Sequence, residues 1–199
     1  MKLKTLVLLC AFFLSSCAAS YHSINPPTLT YLSNSIDKSL SLDYKFNLLP
    51  QKYAKKETKF NVKLIAVKLT NNSGRDLVFG KDIKLTYGNG GEVILMDDQH
   101  VYAALRQKNE YYLFYLLLTA ATINTTTNGQ QTSSIPVGYA LGPGLTATNM
   151  LIASSANKSF NDELLKYNII GATIKNGATI YGLVGINSAS FEGIKVKVE

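Results

Sequence analysis

Cysteine is all but missing from this chain. The two that occur, Cys10 and Cys17, lie within the first 17 residues. Everything after them is therefore without a disulfide, a thiol nucleophile or a thiolate metal site. Histidine is as scarce, with only His22 and His100 in 199 residues, which leaves little material for acid–base or metal chemistry. No Gly-x-Ser-x-Gly elbow, His-Glu-x-x-His pair or glycine loop ending in Gly-Lys-Ser/Thr occurs, and the glycines between 138 and 144 lack the lysine of a phosphate cradle. No cofactor is expected. The N-terminal apolar run, residues 6–14, is far shorter than the roughly 20 residues of a spanning helix. No internal repeat is visible.

What is present begins with the same N-terminus. Lys2 and Lys4 precede the apolar run, and small residues then lead to a cysteine. Basic end, short apolar core and small-residue cleavage region form the layout of a secretory signal. Leu14-Ser15-Ser16-Cys17 resembles the lipobox of bacterial lipoproteins: an apolar residue, two small ones and the cysteine that becomes lipidated. The resemblance implies removal of residues 1–16 by cleavage between Ser16 and Cys17, and attachment of diacylglycerol to the Cys17 thiol. Several acyl chains, each buried CH₂ worth about 0.8 kcal/mol, make such an anchor stable. Ala18 after the cysteine, in place of Asp, implies the outer rather than the inner membrane under the common sorting rule.

The remaining chain is long enough to bury a core without covalent staples. The formal charge is +7, of which Lys2 and Lys4 belong to the discarded segment. Much of the excess sits between Lys45 and Lys63, where Lys52, Lys55, Lys56 and Lys59 surround a single acid, Glu57. Such a run fits a solvated loop between two strands, with anionic lipid headgroups or lipopolysaccharide as the functional alternative. Nucleic acid is not an expected partner of an exported, lipid-tethered chain.

Residues 18–36 are polar and turn-rich around Asn25-Pro26-Pro27, which predicts an extended spacer. Leu40, Leu42, Tyr44, Phe46 and Leu48 then alternate with polar residues, the pattern of a half-buried strand. Residues 60–70 begin with the same alternation, but its phase flips at Ile65, as a β-bulge would produce. Gly88-Asn89-Gly90-Gly91 between residues 83–87 and 92–96 predicts a hairpin, and so does Asn176-Gly177 between 172–175 and 178–186. Ile194, Val196 and Val198 form a last alternating strand. Short strands at this spacing predict a mainly β fold, an Ig-like antiparallel β-sandwich.

Between these strands the pattern changes. Asp97-Asp98 reads as a helix start, with Val101, Leu105, Lys108 and Tyr112 along one face. Two apolar arms, residues 111–123 and 135–156, flank a polar Thr, Asn, Gln and Ser loop at 124–134. A helix follows at 159–167, with Ser159 and Asp162 as a capping pair. The sandwich is thus expected to carry an inserted, apolar, mostly helical hairpin at about 97–167. Gly138, Gly142 and Gly144 leave little side chain on one face and form a candidate contact surface, as small-residue patterns do. Three readings of residues 111–156 stand: packing over one face of the sandwich, a partner-binding surface, or contact with the membrane. Pro143, Thr146, Thr148 and Asn149 weigh against a lipid-facing second arm. Asp97, Asp98 and His100 are the densest polar constellation, suited to capping a helix or, alternatively, to acid–base or hard-metal chemistry.

The expected organisation is a signal peptide at 1–16, a lipidated cysteine with a flexible tether at 17–36, and a single domain at 37–199. In layout the body also resembles uncharacterised small envelope lipoproteins of Gram-negative bacteria. The expected protein is a non-enzymatic, lipid-anchored binding or structural domain of the cell envelope. Its partners are the membrane, through Cys17, and an envelope protein or glycan. The competing classes are a membrane-interacting protein acting through residues 111–156 and an envelope enzyme.

Overall fold

The β-strands pair antiparallel throughout their named ladders, as the alternating patterns predict. A computed structural model describes residues 17–199, so the expected signal peptide at 1–16, with Cys10 and Ser16, lies outside the described residues. The described chain divides into two units. One is built from residues 21–106 and 158–199, and the other from residues 107–157 with the N-terminal residues up to 20.

The first, the sheet unit, is organised around β3 (Val62–Asn71). On one side β3 pairs with β2 (Leu40–Lys45), which pairs with β1 (Ser33–Asp37). On the other it pairs with β10 (Thr179–Asn187), whose far edge takes up the short β6 (Leu95–Met96). Ile65, Val67 and Leu69 enter one core with Leu40, Leu42, Val184 and Ile186. The same core takes residues from β4 (Leu77–Val78), β5 (Ile83–Tyr87), β9 (Thr173–Ile174) and β11 (Ile194–Val198). Val62, Leu64 and Ala66 point the opposite way, into a second core with Tyr53, Val101, Leu105, Phe160 and Leu183.

This two-sided burial accounts for the phase flip at Ile65. The register with β10 runs unbroken from Thr70↔Thr179 to Val62↔Asn187, so no bulge is present. A strand covered on both faces loses its alternation because both sets of side chains are apolar. On β10, Gly182 and Gly185 bring the covering layers close. A Cβ on Gly182 would stand 2.7 Å from the Ile169 side chain, and one on Gly185 would strike Val101.

Of the two expected hairpins the first is present as a short return and the second is replaced by longer-range pairing. β5 takes β11 as its ladder partner, and after residues 88–91 the chain returns along β5 through the Tyr87 N–H to Gly91 carbonyl bond, the Thr86↔Glu92 bridge and the Val93 N–H to Leu85 carbonyl bond. β9 pairs with β4 rather than with β10. The Asn176-Gly177 turn is instead tied to Asp76 and to the backbone of the buried Asn71.

The lysine-rich stretch is not a loop but helix α1 (Gln51–Phe60), ended by Asn61 in the left-handed region at φ 53°. Tyr53 and Glu57 lie four residues apart on its buried face, while Lys55 and Lys59 are exposed. Residues 21–36 do not form a free spacer either. Ile24 and Pro26 are buried, and Tyr21 packs edge-on against Tyr53. The Tyr21 hydroxyl and the Ile24 N–H both donate to the Glu163 carboxylate. Helix α2 (Asp98–Leu105) stops at Arg106, so Tyr112 does not share its face.

The second, the insert unit, begins with a 3₁₀ segment, Asn109–Ala120, unusually long for that helix type. The expected polar loop is a β-hairpin, β7 (Ile123–Thr127) and β8 (Gln130–Ile135). Its turn residues Asn128 and Gly129 both have positive φ, 53° and 79°, the conformation that an Asn-Gly two-residue turn favours. Helix α3 (Gly138–Lys166) then runs without a break through Pro143 and past Ser159. Ser159 is therefore interior rather than a cap, and Asp162 pairs with Lys158 instead.

Candidate functional site

The acidic constellation at 97–100 is built by the start of α2. The Asp97 carboxylate accepts from the His100 N–H at 2.9 Å and faces the His100 Nδ1 at 2.5 Å. These bonds hold its carboxyl below the usual aspartate range. Asp98 turns inward and accepts from Asn168 Nδ2 at 2.7 Å. Burial raises its pKa, and the Asn168 bond offsets part of that rise. Asp97 and His100 face solvent, and the arrangement is that of a helix cap. Among the described residues no cluster of three or more His, Cys, Asp or Glu could hold a metal ion.

Two other polar features belong to the sheet unit. Lys63 is buried, and its ammonium group, which has no hydrogen-bond partner among the described residues, stands 4.4 Å from the centre of the Phe191 ring. Nearby Glu57, also buried, accepts from the Leu64 N–H at 2.9 Å. Burial raises the Glu57 pKa, against the opposing pull of that N–H and of the Lys63 charge. A surface cleft of about 380 Å³ lies beside Val93 and Leu95. Its charged side chains, Lys84 and Glu92, are bonded to each other at 3.1 Å.

The contact glycines fall in the insert unit and divide. A Cβ at Gly138 would collide with the carbonyls of Leu118 and Thr119, and one at Gly142 would stand 2.9 Å from the Thr119 methyl. These two glycines let α3 press against the 3₁₀ segment, so the surface they form is used within the chain. Gly144 has nothing within 4 Å of a notional Cβ.

Cys17 is exposed, and the residues directly after it are held by the insert unit. Ala18 donates its N–H to Asn149 Oδ1 at 2.5 Å and packs with Tyr112, Tyr115 and Ala153. Gln107 brackets Ala19, accepting its N–H at 2.9 Å through Oε1 and donating to its carbonyl at 2.6 Å through Nε2. Neither Gln107 nor Asn149 stands out in the sequence as a partner of the N-terminus. No protein family, curated protein or solved structure matches this chain.

Proposed function

We propose that the chain is a lipoprotein of the bacterial cell envelope, held to a membrane by acyl chains on Cys17 and serving as a non-enzymatic binding or structural domain. In this reading residues 1–16 are a signal peptide, Ser16–Cys17 is the cleavage site, and the outer membrane is the destination. The facing sheets would form an Ig-like sandwich that presents a surface to an envelope protein or a glycan, with residues 111–156 as its inserted apolar hairpin.

The observation that carries the reading is the Leu14-Ser15-Ser16-Cys17 motif behind a basic, apolar leader, with Cys17 itself exposed. The roles of the other polar groups support the non-enzymatic class. Asp97 caps a helix, Asp98 is bonded to Asn168, and His100 is engaged with Asp97.

The test is the intact mass of the protein extracted from membranes of cells fed a palmitate analogue. The expected result is a chain beginning at Cys17, carrying diacylglycerol and labelled, with the label lost in Cys17→Ser. An unlabelled chain that retains residues 1–16 would overturn the proposal.

A further inference from the structure

In the insert unit only a small apolar cluster, Tyr112, Tyr115 and Ala153, is enclosed, and buried amides sit beside it while many large apolar side chains lie outside. Between residues 111 and 157 there is no Asp, Glu, Lys, Arg or His, in a chain that is 17% charged overall. Its buried side chains include Gln107, Thr146, Asn149 and Asn157. Each is satisfied within the unit. Thr146 Oγ1 donates to the Gly142 carbonyl at 2.9 Å, and Asn149 Nδ2 donates to that of Leu145 at 2.8 Å. Asn157 accepts from the Gln107 N–H at 2.7 Å and donates to the Gln107 carbonyl at 2.8 Å. Large apolar side chains point outward beside a few small hydroxyl residues such as Thr148, Ser154 and Ser155. Leu117 and Tyr139 are each 75% exposed, Leu151 71% and Phe114 68%.

Exposing so many large apolar side chains in one uncharged unit is costly in water, and contiguous apolar patches on soluble folds mark contact sites. Hydrocarbon accommodates such a surface: it requires charge to be absent, polar side chains to face inward, and backbone groups to be bonded within the structure. The 3₁₀ segment and α3 meet the last condition internally. The β7–β8 hairpin has open edges and exposed hydroxyl and amide groups, which suit the headgroup layer rather than the acyl region.

We infer that the charge-free part of this unit, residues 111–157, is embedded in the lipid leaflet that holds the Cys17 acyl chains, with the apolar side chains of the 3₁₀ segment and α3 outward and the β7–β8 hairpin in the headgroup layer. The inference rests on the lipidation proposed above, because that is what makes a bilayer the occupant of this surface. Ala18 and Ala19 are fastened to Asn149 and Gln107, so the acylated cysteine and the apolar exterior belong to one small unit and reach the membrane together. The contact is an embedding and not a crossing: among the described residues no helix is long and apolar enough to span.

The chain contains no tryptophan, so a single introduced one reports its own surroundings. The acylated full-length mature protein would carry Leu117→Trp, Leu151→Trp or, as a control in the sheet unit, Ile94→Trp, where the native side chain is 64% exposed. All three positions are on the surface, so none of the substitutions disturbs a core. Each variant is reconstituted into phosphatidylethanolamine–phosphatidylglycerol vesicles with brominated acyl chains. At positions 117 and 151 most of the emission should be lost to the bromolipid and little to aqueous iodide, with the reverse at position 94. Iodide quenching at 117 and 151 as strong as at 94 would overturn the inference. Protection from both quenchers would also overturn it, because the surface would then be covered by another copy of the chain. The mass of each preparation reports acylation of Cys17 independently, so failure of the lipid anchor is distinguishable from failure of the embedding.

Discussion

The sheet unit and the insert unit solve the problem of burial in opposite ways. In the sheet unit Leu, Ile, Val and Phe fill two cores on either face of β3, and lysines such as Lys55 and Lys59 face solvent. In the insert unit amides and a hydroxyl are enclosed beside a small Tyr112, Tyr115 and Ala153 cluster, while Phe114, Leu117, Tyr139 and Leu151 lie outside. Chain connectivity does not explain the contrast, since α3 contributes to both units. Within that one helix Phe160 and Leu164 point into an apolar core, whereas the buried positions nearer its start include Thr146, Asn149 and Asn157. A unit's surroundings, rather than its helical geometry, decide which side chains it turns inward.

The contrast is most easily broken at Phe160. Its ring is fully buried and packs with Tyr21, Tyr53 and Tyr102. Phe160→Ala should cost about 3–5 kcal/mol in denaturant unfolding of the sheet unit. Leu117→Ala, which removes apolar bulk at an outward position, should stay within about 0.5 kcal/mol in detergent. Equal costs would mean that the insert unit has a conventional core after all.

Asn157→Leu sharpens the comparison from the other side. In a conventional core an apolar replacement is tolerated, but here it removes the two hydrogen bonds that Asn157 makes with the Gln107 backbone N–H and carbonyl. The expected cost is about 1–3 kcal/mol, read as faster hydrogen exchange across residues 107–157. Unchanged exchange would remove the claim that polar contacts organise this unit.

The smallest effect concerns the buried acid of the sheet unit. Burial raises the folded-state pKa of Glu57 above the ordinary 4.5. Folding therefore favours the protonated acid, and stability declines as pH rises from about 4.5 through the raised value. Melting curves measured across that range should show the decline in the native chain and a flatter profile for Glu57→Gln. A native profile that rises with pH over the same range would contradict this sign.

Two Asn-Gly pairs show where sequence reasoning about the fold stops. Asn176-Gly177 is flanked by strand-like residues and predicts a hairpin, yet β9 and β10 take different partners. Asn128-Gly129 lies in a polar stretch that reads as loop, yet it turns the β7–β8 hairpin. The backbone separates them, since Asn128 has a positive φ and Asn176 does not. β10 is apolar on both faces and is stabilised at the centre of a sheet. β7 and β8 pair only with each other. The choice is made by burial far along the chain, which a local turn signal does not carry.

For the candidate site the same boundary falls between Cys17 and its supports. Leu14-Ser15-Ser16-Cys17 is a contiguous pattern and is therefore legible in the sequence. Gln107 and Asn149 stand 88 and 131 positions from the residues they hold, and neither belongs to a recognisable spacing.

The sequence alone determined the motif at Cys17, the thiol-free body, the half-buried pattern of β2 and β11, and the helix start at Asp97. Tertiary structure alone decided strand partners, the second core behind β3, the use of Gly138 and Gly142 as an internal seam, and the inward turn of Thr146, Asn149 and Asn157. Local patterns record which side chains share a face; what covers that face depends on packing between residues that the sequence keeps far apart.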